Sequence, residues 1–170
     1  MRRRIRSSLV PTGLALLALV AGCRESTMGP ATAGGAAELV GRWVSSRNNL
    51  SPEGWHQGSL TFEIDGRFAS ENRSYGVYEG QQRDDLSAFT RVEGKYRIER
   101  DRLIFEPQRL IWWDHFYGAQ SAEHVVEPYP WGGLFDDARH SVRDDHLTMS
   151  FTVYPADAPV PCVAEYERDR

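Results

Sequence analysis

The densest collection of side chains with binding chemistry is Leu110-Ile111-Trp112-Trp113-Asp114-His115-Phe116-Tyr117, where five of the last six residues carry an aromatic or imidazole ring. Large rings hold apolar or planar molecules by area burial and stacking. Read as an extended strand, the segment sends Leu110, Trp112, Asp114 and Phe116 to one face and Ile111, Trp113, His115 and Tyr117 to the other. Both faces are then aromatic, so one of them is not plainly solvated. Tyr129-Pro130-Trp131-Gly132-Gly133 adds two more rings in a stretch of loop composition. Trp112, Trp113, Phe116, Tyr117 and Trp131 are therefore the candidate ligand-binding residues, lining a cleft or barrel mouth. The competing reading packs one face in a core and the other under the 118–137 loop.

Other chemistry is hard to find. No G-x-S-x-G, H-E-x-x-H, C-x-x-C or phosphate-cradling glycine loop occurs. His56, His115, His124, His140 and His146 lie far apart without metal-ligand spacing. The Arg-Asp-Asp triplets at 83–85 and 143–145 read as turn residues. The expectation is a protein with no catalytic residues, no metal and no cofactor, hence not an enzyme.

The two cysteines carry a different message. Arg2, Arg3, Arg4 and Arg6 precede an apolar run from Leu9 to Val20, and Ala21, Gly22 and Cys23 follow. A basic start, a short apolar run and small residues form the pattern of a secretory signal peptide over residues 1–22. The run is about 12 residues, against the roughly 20 a spanning helix needs. Val20-Ala21-Gly22-Cys23 resembles the lipobox read by bacterial lipoprotein processing. The resemblance implies a diacylglycerol thioether on Cys23, cleavage before it, and usually N-acylation such as by palmitate. Several acyl chains, at about 0.8 kcal/mol per buried methylene, anchor a protein effectively permanently. The expected location is the cell envelope, at the outer membrane or the outer face of the cytoplasmic membrane. Cys162 then has no disulfide partner within the chain and reads as a small buried hydrophobe.

Residues 1–22 hold four of the 20 basic side chains and none of the 24 acidic ones, which leaves 16 against 24 and a net charge of −8 beyond them. That balance argues against nucleic acid and anionic headgroups as partners. Residues 23–38, rich in Gly, Ala, Ser, Thr and Pro, read as the lipidated cysteine and a flexible tether. Residues 39–170 are long enough to bury a core as one domain.

Within that domain the patterning is period-two. Leu60, Phe62 and Ile64 share a face, and Asp65-Gly66 supplies a two-residue hairpin turn before Arg67-Phe68-Ala69-Ser70. Tyr96-Arg97-Ile98 alternates, and a turn near Arg100-Asp101-Arg102 leads into Leu103-Ile104-Phe105. Asp144-Asp145 separates residues 139–143 from 147–153, and the last strand runs from Val160 to Arg168. No stretch of the domain has a helical stripe. The expectation is an all-β domain: one antiparallel barrel of about eight strands, with a β-sandwich as the alternative.

Leu39-Val40-Gly41-Arg42-Trp43 resembles the G-x-W signature of the lipocalin-like, or calycin, barrels. The later Phe-x-x-Asp-Gly at 62–66 and Gly94-Lys95-Tyr96 follow in similar order. In that family Gly41 and Trp43 would open the first strand, with the indole closing the barrel floor. The resemblance further implies a basic residue of the last strand, here Arg168, over the Trp43 ring by cation–π stacking. Two functional expectations follow. The first is a membrane-anchored lipoprotein whose lipocalin-like domain binds a small apolar ligand. The second is a non-catalytic envelope lipoprotein that docks a partner protein.

Overall fold

The computed structural model describes residues 36–49, 54–117, 122–154 and 158–170. Cys23, the residues read as a signal peptide and most of those read as a tether lie outside these residues. The structure begins with one helical turn, α1 (Ala36–Leu39), so the last residues read as tether are helical. Ten strands follow: β1 (Gly41–Ser45), β2 (Asn48–Asn49), β3 (Trp55–Phe62), β4 (Arg67–Tyr75), β5 (Leu86–Glu99), β6 (Arg102–Asp114), β7 (His124–Val126), β8 (Asp136–Arg143), β9 (His146–Val153) and β10 (Val160–Arg168).

Eight of them close a ring. β1 pairs with both β10 and β3, and the order β1-β10-β9-β8-β6-β5-β4-β3 returns to β1, every pairing antiparallel. This is the expected barrel, and closure removes the free edges a sandwich would keep. Short hairpins gather at one end, near residues 64–66, 100–101 and 144–145, together with α1. The connections at the other end are longer, and there β2 pairs with β3 and β7 with β6.

Alternation sets the interior. Along β9, Leu147, Met149 and Phe151 are buried while the residues between them are not. Cys162, Ala164 and Tyr166 repeat the pattern on β10, and Cys162 joins the core as a buried thiol. The core continues through Trp43, Leu60, Phe62, Phe68, Tyr96, Leu103 and Phe135. Edge-to-face ring contacts run from Phe68 to Phe105 at 4.9 Å, Phe105 to Phe135 at 5.3 Å and Phe135 to Phe151 at 4.8 Å. Such pairs add about 0.5–1.5 kcal/mol each beyond the area they bury.

Three local features depart from the sequence reading. Leu60 and Phe62 face the core, but Ile64 is 88% exposed, because it sits in the hairpin rather than on the strand. Glu63 and Arg67 close that hairpin through Glu63 N donating to Arg67 O at 2.8 Å, leaving a three-residue loop with Gly66 at φ +84°. A left-handed third position is what a three-residue loop demands, so the glycine serves a longer turn than the two-residue one expected. Next, the segments 103–105 and 110–114 are one strand. Pro107 is accommodated at a bulge where the β5–β6 register shifts between Glu93 and Gly94. Gly94 is required there: a Cβ would clash with the Glu106 carbonyl oxygen and lie 2.8 Å from Pro107 Cα. Finally, the ring of rings ends early, since His115–Tyr117 form a 3-10 turn.

The seam between β6 and β8 is thin, with one register pair, Arg102 and Arg139. It is sealed by β7 and residues 127–135, which press Val126, Tyr129, Leu134 and Phe135 against the core. Phe135 reaches inward from φ +59°, a strained conformation for a bulky residue. Burying the ring, worth about 1.5–3 kcal/mol, offsets that cost.

Candidate functional site

The end of the barrel that carries the short hairpins is shut by Trp43. Its indole is fully buried and its Nε1 donates to the Leu39 carbonyl at 2.7 Å. Arg168, its register partner on β10, lays its guanidinium 4.1 Å from the ring centroid. The same guanidinium donates to the carbonyls of Val40 at 2.8 Å and Glu38 at 2.7 Å. Gly41, at φ +128°, leaves room for it, since a Cβ would come within 2.8 Å of Arg168 Nη1. Gly41, Trp43 and Arg168 thus form one structural unit that packs across this end.

The other end carries the rings. Alternation on β6 turns Trp112 inward beside Leu110, where it packs on the core, and turns Trp113 outward. The 3-10 turn lifts Phe116 and Tyr117 onto the rim, 75% and 56% exposed. A continuous path of seven rings results. Trp113 contacts His115 at 6.2 Å, His115 contacts Tyr78 at 5.7 Å, and Tyr78 contacts Phe116 at 6.5 Å. Phe116 then meets Tyr117 at 5.7 Å, Tyr117 meets Trp112 at 5.7 Å, and Trp112 stacks on His124 at 4.1 Å. Four of the five candidate residues are therefore joined across the rim. Trp131 stands apart from this path: it contacts Tyr129 at 5.6 Å and is half exposed.

Asp114 organises this arrangement. Its Oδ1 accepts from the Tyr78 hydroxyl at 2.5 Å and from the Phe116 amide at 2.8 Å. One carboxylate thereby starts the 3-10 turn and ties it to the loop between β4 and β5. Partial burial, then the bond to Asp114, pushes the Tyr78 phenol up to about 12. Sequence reasoning missed Tyr78 and His124. The available signal was an aromatic between Gly76 and Gly80 in a polar loop, but pairing it with Asp114 needs the barrel topology.

A second stack at the same end was also missed. Trp55 and Tyr75 lie face to face at 4.0 Å, with the Arg47 guanidinium 4.2 Å over Trp55. Trp55 Nε1 donates to Asp84 Oδ1 at 3.1 Å, which fastens the β4–β5 loop from its other side. His56, His115, His124, His140 and His146 do not assemble. Among the described residues no three His, Cys, Asp or Glu side chains are placed to hold a metal ion. His140 is buried inside β8, whereas His146 opens β9 on the exposed side. No protein-family model matches the chain, and no curated protein matches it at a significant level.

Proposed function

We propose that this chain is a membrane-anchored extracytoplasmic lipoprotein, tethered through lipidated Cys23, whose lipocalin-like barrel is a non-catalytic binding module. Its ligand is a small apolar molecule, held at the aromatic rim rather than in the depth of the barrel. One observation carries this reading: Phe116 and Tyr117 remain largely in water while both are fixed by ring contacts to less exposed neighbours. Pre-set rings pay little conformational entropy on binding. The deeper barrel is occupied by Trp43, Phe62, Phe105, Phe135 and Phe151, which argues for a rim site.

Native mass spectrometry of the purified chain tests it. A small apolar molecule retained by the wild type and lost from the Phe116→Ala/Tyr117→Ala double variant is the expected result. Equal retention by both would sink the rim site.

A second reading is docking of an envelope protein. It is favoured by further exposed apolar side chains in the connections at this end and the neighbouring wall, Val77, Val125, Trp131 and Tyr154. They extend the apolar surface beyond what a single small molecule covers. Crosslinking from Trp131 or Tyr154 to one protein, with no small molecule retained, would establish docking instead.

A further inference from the structure

Trp113, at one end of the ring path across the rim, also forms one wall of an open depression of about 380 Å³. The other walls are Glu79, Gly80, Gln81, Asp85, Leu86 and His115. We propose that this depression binds a small organic cation, an alkylammonium or quaternary ammonium group, between the Trp113 ring and the carboxylates of Glu79 and Asp85.

The first support is that the site is built before any ligand arrives. The β4–β5 loop that forms its far wall is tied to itself and to the barrel by a dense set of bonds. Gly76 N donates to Asp85 O at 2.9 Å, and Gly76 is at φ +60° with the Arg83 backbone too close for a Cβ. Gln81 Oε1 accepts from Tyr78 N at 3.1 Å and from the buried Ser87 hydroxyl at 2.5 Å. Asp85 Oδ2 accepts from Gln82 N at 2.8 Å. Tyr78 to Asp114 and Trp55 to Asp84 pin the loop at two further points. A surface loop held this firmly presents a fixed wall, as preformed ligand sites do.

The second support is the charge that the wall leaves unused. Among the described residues Glu79 makes no hydrogen bond or ion pair, and Asp85 commits only Oδ2. No Lys or Arg lines the depression. Two carboxylates in the middle of the barrel wall are, by contrast, answered by arginines: Glu71 by Arg73 and Arg91, Glu93 by Arg91 and Arg109. A negative recess lined in part by an indole suits a cation with apolar substituents. The ring quadrupole and the carboxylates then attract it together, while methyl or methylene groups cover Leu86 and the ring.

Titration of the full chain in detergent with choline, and in parallel with its neutral isostere 3,3-dimethylbutan-1-ol, tests the proposal by calorimetry and Trp fluorescence. Saturable choline binding, with the isostere bound far more weakly, is expected. Trp113→Leu should weaken choline binding by roughly twofold to thirtyfold, the span of a single cation–π contact, and Glu79→Gln/Asp85→Asn should weaken it as well. Phe116→Ala should leave it unchanged, which separates this site from the apolar rim. Tighter partitioning of Cys23→Ser than of Cys23→Ser/Trp113→Leu to phosphatidylcholine vesicles would extend the ligand to a lipid headgroup, and equal partitioning would restrict it to free cations. No saturable choline binding, equal affinity for the isostere, or wild-type affinity in both variants would overturn it.

Discussion

Arg168 reaches across the start of the barrel to cover Trp43, with its guanidinium 4.1 Å from the ring centroid and two donors on the carbonyls of Val40 and Glu38. A planar, delocalised cation can stack and bond at its edge at once, and a lysine cannot reproduce that fork. Arg168→Leu should therefore cost about 1–3 kcal/mol of stability, from the lost stacking and two lost hydrogen bonds. Arg168→Lys should recover less than half of the loss. Urea unfolding of both variants reads this directly. A Lys variant as stable as wild type would show that charge alone matters there.

The bulge opposite Pro107 depends on one missing atom. Gly94→Ala places a Cβ against the Glu106 carbonyl and the Pro107 backbone, which are parts of the barrel that cannot swing aside. The expected cost is about 3 kcal/mol, the upper end of the usual range for overpacking. Gly80→Ala is the matched control. It has a φ of +84° but nothing within 4 Å of the new Cβ, so only the backbone preference of about 1–2 kcal/mol opposes it. Similar unfolding midpoints for the two variants would mean that β6 yields at the bulge.

What could be read in advance follows the same division between local and distant causes. The hairpin at Asp144-Asp145 and the strand from Val160 to Arg168 were legible, because turn residues and period-two alternation act within a few positions. Continuity of β6 through Pro107 was not, since the bulge that absorbs the proline is created by Gly94 on the neighbouring strand. Ile64 continued the alternation and so read as a core residue, while the three-residue loop closed by Glu63 and Arg67 put it in water. At the rim, the ring content of residues 112–117 was plain. Its partner Tyr78 lies 36 residues before Asp114 and is brought to it by strand pairing. Trp131 looked like part of the same cluster from its composition, but the 127–135 segment is spent on sealing the β6–β8 seam.

Four tyrosines with raised phenols, Tyr78, Tyr96, Tyr129 and Tyr166, make the fold sensitive to alkali, and Tyr78 and Tyr166 are raised furthest. Burial pushes the Tyr166 phenol up to about 12, and burial followed by the bond to Asp114 does the same for Tyr78. The unfolded value is near 10, so the folded state favours the neutral phenol. Their contribution to stability is complete below about pH 10 and is lost as pH rises toward 12. Unfolding midpoints should fall across that window. Tyr78→Phe and Tyr166→Phe should each flatten the fall, though Tyr78→Phe also frees the β4–β5 loop from Asp114. A slope unchanged in the double variant would assign the alkaline loss to other groups.

Cys23→Ser separates lipid anchoring from every other way of meeting a membrane. Residues 23–170 carry a net charge of −8, which repels anionic headgroups rather than attracting them. Among the described residues no helix is long and apolar enough to cross a bilayer. The exposed rim rings, Phe116 and Tyr117, offer contact areas far smaller than acyl chains, which contribute about 0.8 kcal/mol per buried methylene. Serine lacks the thiol from which a thioether forms. Expressed with its signal segment, the variant should move from the membrane pellet to the soluble fraction or persist as the uncleaved precursor. High-salt washing should not release the wild type. Processed Cys23→Ser protein that stays on membranes as firmly as wild type would rule out the lipid anchor and shift attention to the rim.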